Sequence, residues 1–333
     1  MTLQEAYKQL ALQLQHLYDD REAANIADLV IEHITGQRRI DRIMNKQLPI
    51  IVAAEKQLEE YTHQLLLNTP VQYVLHEAWF AGLKLYVDEN VLIPRPETEE
   101  LVELVASYWL QVTGFKAKNE KDLQLTTYNK TQSPATGNQK PATDIQSPAT
   151  GNQKPVTILD IGTGSGCIPM ALKKKFADWD VHALDVSAGA LGVAQKNAEA
   201  LQTPITFYHV DILNEEAWAA LPIFDIIVSN PPYIKQSEEA DMLDNVTRFE
   251  PHTALFVPDN DALLFYKKIA DFALLHLHPN GLLFFEINEA LGADVCNMLA
   301  AKRFANIELK KDMQEKDRMV KAQHMGIMPP SAE

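Results

Sequence analysis

The segment Phe224–Gln236, FDIIVSNPPYIKQ, ends a short apolar run in four residues that could position a planar nitrogen. Its first half is rich in β-branched residues and predicts a buried strand. An amide or aromatic amine is a poor nucleophile because its lone pair is delocalised, so a transferase must accept its N–H hydrogens and aim the nitrogen. The Asn230 side-chain oxygen and the Pro231 carbonyl offer two acceptors, Pro232 stiffens the segment, and Tyr233 adds an aromatic face. Asn-Pro and Pro-Pro are also ordinary turn sequences, so the rest of the chain must decide.

A second group of residues follows an earlier apolar run, in the sequence ILDIGTGSGCIP. Gly162, Gly164 and Gly166 allow the backbone to turn sharply and to approach a ligand closely. A dinucleotide fingerprint needs its third glycine three positions after the second, and Cys167 occupies that place. The alternate glycines, preceded by Asp160, therefore suit a cofactor without a pyrophosphate.

Two acidic residues end the next two predicted strands. Asp185, in VHALDVS, is placed to accept both hydroxyl hydrogens of a ribose. Asp211, in FYHVDIL, could accept a hydrogen bond from an adenine amino group, with Ile212 against the ring. Each acid alone could be a capping residue, but a glycine-rich loop and two acids at three successive strand ends describe an adenosine site. Adenosine without a pyrophosphate indicates S-adenosylmethionine.

The elements that must hold these residues begin at Val156, where apolar runs alternate with helical stretches. This alternation predicts an α/β domain with a doubly wound, mostly parallel sheet. The predicted strands are 156–159, 181–184, 205–208, 224–229 and 282–287, and the predicted helices are 168–176, 188–201, 261–277 and 289–302. Ligands of such sheets bind beyond the carboxyl ends of the strands, where the strand order reverses. Asn230 belongs at that point if the fourth strand lies beside the first.

The N-terminal half predicts three further segments. Apolar residues recur at helical spacing in 3–17, 23–34 and 54–65, which predicts a small helical bundle over 1–75. Alternating residues at 83–87 and a return at 91–93 predict a β-hairpin, followed by a helix from Pro96, so that 76–115 form a hairpin and a connecting helix. The polar decapeptide QSPATGNQKP occurs twice within 116–155, which predicts a disordered insert. A catalytic domain would then span 156–323.

The composition restricts the class of protein. A chain of 333 residues with 46% hydrophobic content can form two domains. Its net charge of −15 would repel a phosphate backbone, so nucleic acid is disfavoured as a direct partner. Cys167 and Cys296 are far apart and indicate neither a disulfide framework nor a metal site. No apolar run is long enough for a membrane span and no targeting segment is evident, so we expect a cytoplasmic protein.

Five segments together resemble the HemK/PrmC family of peptide chain release factor glutamine methyltransferases. They are SNPPYI, DIGTGSG, LIPRPETEELV, TRFEPHTAL and KDRMV. NPPY alone is shared with adenine and guanine amino methyltransferases, whereas its combination with IPRPETE and RFEP is specific. The resemblance covers the helical region and the catalytic domain, and it leaves out the insert and the last ten residues. It implies a Rossmann-like fold and transfer of a methyl group from S-adenosylmethionine to the side-chain amide nitrogen of the glutamine in the Gly-Gly-Gln loop of release factors, a step of translation termination.

The resemblance also implies roles for individual residues. The cofactor would contact Gly162, Thr163, Gly164, Ser165, Gly166, Asp185, Asp211 and Ile212, together with Asp160 before the loop and Asn230. The substrate glutamine would contact Asn230, Pro231, Pro232 and Tyr233, with Arg95 and Glu97 of PRPETE nearby and RFEP in a loop over the substrate. We therefore expect a monomeric enzyme whose N-terminal helices bind a release factor.

Three alternatives remain open at this stage. A nucleic-acid amino methyltransferase would use the same NPPY chemistry, although the acidic net charge opposes it. A ribosomal-protein glutamine methyltransferase would share the catalytic core. A non-catalytic S-adenosylmethionine-binding module could recruit translation factors through its helical region, but such a module would not need the acceptor residues of NPPY.

Overall fold

A computed structural model of the chain describes residues 1–112 and 154–326. They form two compact units, of which the first comprises Met1–Pro94 and Pro232–Ala262 and the second comprises the described part of Arg95–Pro231 and Leu263–Glu333. The insert predicted over 116–155 lies outside the described residues except for its last two positions.

Eleven strands form three sheets within the described ranges. In chain order they are β1 Ala78–Phe80, β2 Leu83–Leu85, β3 Thr157–Ile161, β4 Asp180–Asp185, β5 Thr206–His209, β6 Phe224–Ser229, β7 Ile234–Lys235, β8 Phe256–Val257, β9 Leu277–Glu286, β10 Ala305–Lys311 and β11 Asp317–Gln323. The large sheet has the order β10-β11-β9-β6-β3-β4-β5, β1 pairs with β2, and β7 pairs with β8.

The first unit contains the predicted helical bundle. Its helices are Leu3–Leu14, Asp20–Thr35, Arg39–Met44, Val52–Leu66 and Val71–Leu75, with the short helices Asp244–Thr247 and His252–Leu255. Thr2 and Glu5 cap the first helix reciprocally, and Gly36 ends the second in the left-handed conformation. The apolar faces of the long helices share one core, which confirms the bundle. Leu17, expected on the first apolar stripe, follows the end of its helix and is exposed.

The β-hairpin is confirmed and β2 lies within the strand predicted at 83–87, but the partner strand predicted at 91–93 is wrong. The paired strands are β1 and β2, joined through Ala81 and Gly82. Both joining residues have positive φ, 48° and 75°, as a tight two-residue hairpin turn requires. The predicted turn at 88–90 does exist, because the Asp88 carboxylate accepts the Asn90 N–H at 3.0 Å. Residues 91–93 after it belong to no strand.

The second unit carries the doubly wound sheet, which confirms the predicted fold class. β3, β4, β5, β6 and β9 are parallel, and β10 and β11 add an antiparallel pair. The helices of this unit are Pro96–Val112, Cys167–Lys175, Ala188–Leu201, Leu264–His276 and Gly292–Ala301. Two short 3₁₀ segments, Glu215–Ala220 and Glu289–Leu291, complete it.

The strand order reverses between β3 and β6. From β3 the sheet continues to β4 and β5 on one side and to β6 and β9 on the other. β3 and β6 pair in parallel, with Ile161 opposite Ser229. The glycine loop after β3 and Asn230 after β6 therefore start at adjacent strand ends, which is where ligands of this architecture bind.

Candidate active site

The glycine loop after β3 leaves space on its open side. Gly162 and Gly164 have positive φ, 75° and 53°, and a Cβ added at either would meet no atom within 4 Å. The N–H groups of Gly162 and Thr163 both donate to the Leu184 carbonyl at 3.0 Å, which ties the loop to β4. Gly166 differs, because a Cβ there would lie 2.5 Å from the Met170 methyl carbon. Two of the three glycines thus border open space, and the third allows close packing of the following helix.

Unpaired polar atoms lie beneath this loop. The Asp160 side chain is buried, and neither of its carboxylate oxygens has a hydrogen-bond partner in the described structure. The hydroxyls of Thr163 and Ser165 are also buried without a partner. Burial raises the pKa of Asp160 to about 7, the nearby Thr163 hydroxyl lowers it although the two groups do not reach hydrogen-bond geometry, and the Asp185 carboxylate adds to the rise. Buried polar groups are normally hydrogen-bonded, so this cluster fits a polar or cationic ligand such as the amino-acid part of S-adenosylmethionine.

Asp185, at the end of β4, organises the loop. Its Oδ2 accepts the Gly164 N–H and its Oδ1 accepts the Ser187 N–H, both at 2.9 Å. Burial raises the pKa of Asp185, while these backbone N–H groups lower it. A carboxylate has further acceptor lone pairs beyond these two bonds. The ribose contact expected for Asp185 is therefore compatible with its bonding and stays a prediction.

Asp211 and Ile212, the expected adenine contacts, follow β5. Asp211 is exposed, and its Oδ1 accepts the N–H of Leu213 at 2.9 Å. Ile212 is buried, and its carbonyl accepts the Trp218 indole N–H at 3.1 Å. Both residues follow the strand next to β4, as an adenine site would require, and their contact with adenine stays a prediction.

Asn230, directly after β6, is the end of a chain of three side chains. Its Nδ2 donates to Thr98 Oγ1 at 3.2 Å, and Thr98 Oγ1 donates to Glu286 Oε2 at 2.7 Å. Thr98 and Glu286 are 3% and 2% exposed, whereas Asn230 is half-buried. No described residue donates a hydrogen bond to Asn230 Oδ1. The amide thus holds its nitrogen inward and keeps its oxygen available.

Glu286 is a carboxyl group in an apolar strand. Burial raises its pKa to about 7, with a smaller contribution from the Glu97 carboxylate. The Thr98 hydroxyl, the Arg318 guanidinium and the Asn230 amide act in the opposite direction. The negative form is therefore supported by two hydrogen-bond donors, Thr98 and Asn230, and by the positive charge of Arg318.

The strand end before Asn230 is fixed to its neighbour. The Ser229 hydroxyl, which is fully buried, donates to the Ile161 carbonyl at 2.7 Å. Pro231 is buried, and no hydrogen bond within the described residues uses its carbonyl. The unit boundary falls after Pro231, so Pro232 and Tyr233, both half-buried, are assigned to the first unit.

The structure adds a residue of PRPETE that the sequence did not indicate. Thr98 bonds to Asn230, whereas the contacts of Arg95 and Glu97 with the substrate stay predictions. The Arg95 carbonyl accepts the Thr98 N–H at 3.1 Å and so forms the start of this helix. Sequence reasoning missed both Thr98 and Glu286. Glu286 could have been found as a lone acid within the predicted apolar strand 282–287.

RFEP has a structural contact in the first unit. The Glu250 side chain is buried, and its Oε2 accepts the Ile93 N–H at 3.4 Å. The position of RFEP over a substrate stays a prediction.

Residues 1–112 and 154–326 contain neither a cluster of metal-ligating side chains nor a membrane-spanning helix. No group of three or more His, Cys, Asp or Glu side chains could hold a metal ion there. None of the helices there has both the length and the apolar character needed to cross a membrane.

Comparison with known proteins identifies the relatives of the chain. Residues 5–75 match the family described as the PrmC N-terminal domain, and residues 144–249 match the methyltransferase small domain. The release factor glutamine methyltransferase of Flavobacterium psychrophilum is 39% identical over 308 residues, which are 92% of this chain and 94% of that protein. The protein of the same name from Bacteroides thetaiotaomicron is 34% identical over 309 residues, 93% of this chain and 95% of the other. A 16S rRNA N2 G1207 methyltransferase of T. thermophilus has a TM-score of 0.44 to this chain and 17% identity, over 74% of this chain and 49% of that one.

Proposed function

The chain belongs to the family of release factor glutamine methyltransferases, and from that premise we propose that it methylates the glutamine of the Gly-Gly-Gln loop in peptide chain release factors. It is an S-adenosylmethionine-dependent methyltransferase. The observation that carries the assignment to an amide nitrogen is the orientation of Asn230, whose nitrogen is bonded inward while its oxygen stays available. We propose that the enzyme acts as a cytoplasmic monomer and does not bind nucleic acid directly.

The loop after β3 would hold the cofactor. When bound, S-adenosylmethionine supplies an electrophilic methyl group on a sulfonium centre. The open space at Gly162 and Gly164 admits close approach of a ligand, and the unpaired Asp160 carboxylate would accept its cationic part. The buried hydroxyls of Thr163 and Ser165 would provide further polar contacts around Gly166. Asp185 would accept the ribose hydroxyls, and Asp211 and Ile212 would contact adenine.

The NPPY segment would hold the acceptor amide. A primary amide nitrogen carries two hydrogens, and Asn230 Oδ1 and the Pro231 carbonyl would accept them, which directs the nitrogen toward the cofactor. Pro231 and Pro232 restrict the backbone of the segment, and the Tyr233 ring would pack against the planar group. The rate enhancement would come from positioning and exclusion of water, without a strong general base, because the proton is lost after transfer. Arg95 and Glu97 would lie near this site.

The N-terminal helices would provide the docking surface for the release factor. Within the first unit, a stretch around the helix Arg39–Met44 exposes several large apolar side chains. Met44, Ile51 and Val52 are each at least 70% exposed, and Ile40 and Ile43 are about half exposed. Exposed apolar side chains close together in sequence favour a protein interface.

The proposed function is tested by incubating the protein with labelled S-adenosylmethionine and a purified release factor. We expect one methyl group per release factor, and no labelling of a release factor whose loop glutamine is replaced by alanine. Labelling of ribosomal protein or RNA instead would favour a different member of the NPPY methyltransferases. Cofactor binding without labelling of any of these substrates would leave only the binding-module alternative.

A further inference from the structure

Thr98 and Glu286 have no role in the function described so far, yet both are buried against the acceptor residue Asn230. We propose that they are positioning residues, which fix the side-chain amide of Asn230 with its oxygen toward the substrate. The inference rests on the proposed function of Asn230. It names two further residues on which the reaction rate depends.

The direction of the hydrogen bonds follows from the number of protons available. A threonine hydroxyl has one proton, and Thr98 uses it on Glu286 Oε2 at 2.7 Å. Towards Asn230, Thr98 is therefore limited to accepting, so the atom 3.2 Å from its oxygen must be the amide nitrogen. An ionised Glu286 has acceptors alone and requires this direction. The carboxylate thereby determines which end of the Asn230 amide faces inward.

The three side chains are anchored on three separate elements. Thr98 lies in the first turn of the helix Pro96–Val112, and Glu286 is the last residue of β9. β9 pairs with β6 in parallel, with Phe285 opposite Ser229, so Glu286 and Asn230 follow at the next position of each strand. The Tyr266 hydroxyl donates to the Glu286 backbone carbonyl at 3.3 Å. The hydrogen-bonded chain Glu286–Thr98–Asn230, called the relay below, is thus part of the packed second unit.

In the wrong orientation, the Asn230 side chain would direct a hydrogen-bond donor at the donor group of the substrate amide. If the amide turned over, its NH₂ group would face the NH₂ group of the substrate glutamine, and one of the two acceptors would be lost. Substrate docking and most of the expected cofactor contacts use other residues, so the change should affect the turnover number more than either affinity. Misplacement of a reacting group in this way typically lowers rates by about 10- to 100-fold.

The test compares Thr98→Val with Thr98→Ser at pH 8, where the Glu286 carboxylate predominates. Valine keeps the shape of threonine and removes the hydroxyl, whereas serine keeps the hydroxyl. Thr157→Val is a matched control, because Thr157 is a buried threonine that donates to the Asp225 carboxylate at 2.9 Å at the opposite end of β3. Asn230→Ala serves as the reference for complete loss of the acceptor.

We expect Thr98→Val to lower kcat by about 10- to 100-fold, with the KM for release factor and the Kd for S-adenosylmethionine within about threefold of the wild type. Thr98→Ser should restore kcat to within about threefold, and Thr157→Val should leave it unchanged. If Thr98→Val does not fold, Glu286→Gln provides the test. The glutamine amide can donate as well as accept, so it no longer fixes the direction of the hydrogen bonds from Thr98 and Asn230. We expect the kcat of this variant to fall by about tenfold.

Two results would overturn the relay. One is a kcat within about threefold of the wild type for both Thr98→Val and Glu286→Gln while Asn230→Ala is inactive. The other is an equal loss in Thr98→Val and Thr157→Val, which would indicate a general structural effect. An active Asn230→Ala variant would instead contradict the proposed function of Asn230 on which the relay depends.

Discussion

Replacing Asp160 by asparagine should change how both stability and cofactor affinity depend on pH. Asp160 is 1% exposed, and burial raises its pKa to about 7 from an ordinary value of 3.8. The folded protein therefore holds this proton over a pH range in which the unfolded chain has released it. Because the unfolded state binds fewer protons there, the unfolding free energy falls as pH rises from about 4 to 7.

The magnitude follows from the width of that range. Each pH unit between the two pKa values corresponds to about 1.36 kcal/mol. Between pH 5 and pH 7, Asp160 alone should lower the unfolding free energy of the cofactor-free protein by up to about 3 kcal/mol. Asp160→Asn removes this contribution, so the stability difference between variant and wild type should grow by that amount in favour of the variant. Urea unfolding at pH 5, 6 and 7 measures it.

Cofactor binding should show the opposite dependence on pH. A protonated carboxyl cannot pair with a cation, so the wild-type Kd for S-adenosylmethionine should rise by about tenfold between pH 8 and pH 6. Asp160→Asn should bind about tenfold more weakly at pH 8 and lack this pH dependence. The Kd values are measured by titration calorimetry. The ionisation of the ligand affects both proteins equally, so it cancels in the difference between them.

Glu286→Gln is the control variant for the pH dependence expected of Asp160→Asn. The pKa of Glu286 is also raised to about 7 by burial, so this variant should flatten the stability profile in a similar way. It should leave the pH dependence of cofactor affinity intact, because Glu286 is assigned to the acceptor side. An equal change in Kd between pH 8 and pH 6 for wild type and Asp160→Asn would refute the assignment of Asp160 to the cofactor.

Three further predictions concern the cofactor loop and the insert. Gly164→Ala should weaken S-adenosylmethionine binding by at least about tenfold. Gly36→Ala is the control, because Gly36 also has a positive φ and open space around an added Cβ. Both variants should lose about 1 to 2 kcal/mol of stability, but Gly36→Ala should bind the cofactor normally. Asp185→Asn should weaken binding by about 1.5 to 3 kcal/mol in calorimetry, and an unchanged Kd would reject its ribose contact. Replacing residues 116–154 by a short Gly/Ser linker should leave the methylation rate within about twofold, since loop length changes closure entropy only weakly; a large loss in a folded variant would assign the insert a role in substrate binding.

Local patterns in the sequence were sufficient for much of the sheet. β6 and the helix Ala188–Leu201 have the predicted boundaries, because an apolar strand ending at Asn-Pro and a periodic helix after Ser187 each carry clear start and stop signals. β10 and β11 were not predicted. β10 reads ANIELKK, in which Ala305, Ile307 and Leu309 alternate with polar residues, so a period-two signal for this strand was present in the sequence.

The positions of the candidate site residues were predictable where these residues follow strand ends, and they were missed where the residues meet through tertiary contacts. The glycine loop, Asp185 and Asn230 could be found because the switch point of a doubly wound sheet follows from strand order. Thr98 and Glu286 are 188 positions apart in sequence, and Thr98 and Asn230 are 132 positions apart. A lone threonine in a first helical turn carries no local signal of such contacts. A lone acid in an apolar strand marks Glu286 as unusual but does not indicate which side chains it contacts.

The most direct test of the account is the single-turnover rate of Asn230→Ala on intact release factor. The glycine loop and Asp185 are unchanged in this variant, so S-adenosylmethionine should bind with a Kd within about twofold of the wild type, and circular dichroism should confirm the fold. The methylation rate should fall by about a hundredfold or more, because the acceptor that aims the substrate nitrogen is gone. A rate within about threefold of the wild type would contradict the central claim, since Asn230 would then only end a strand.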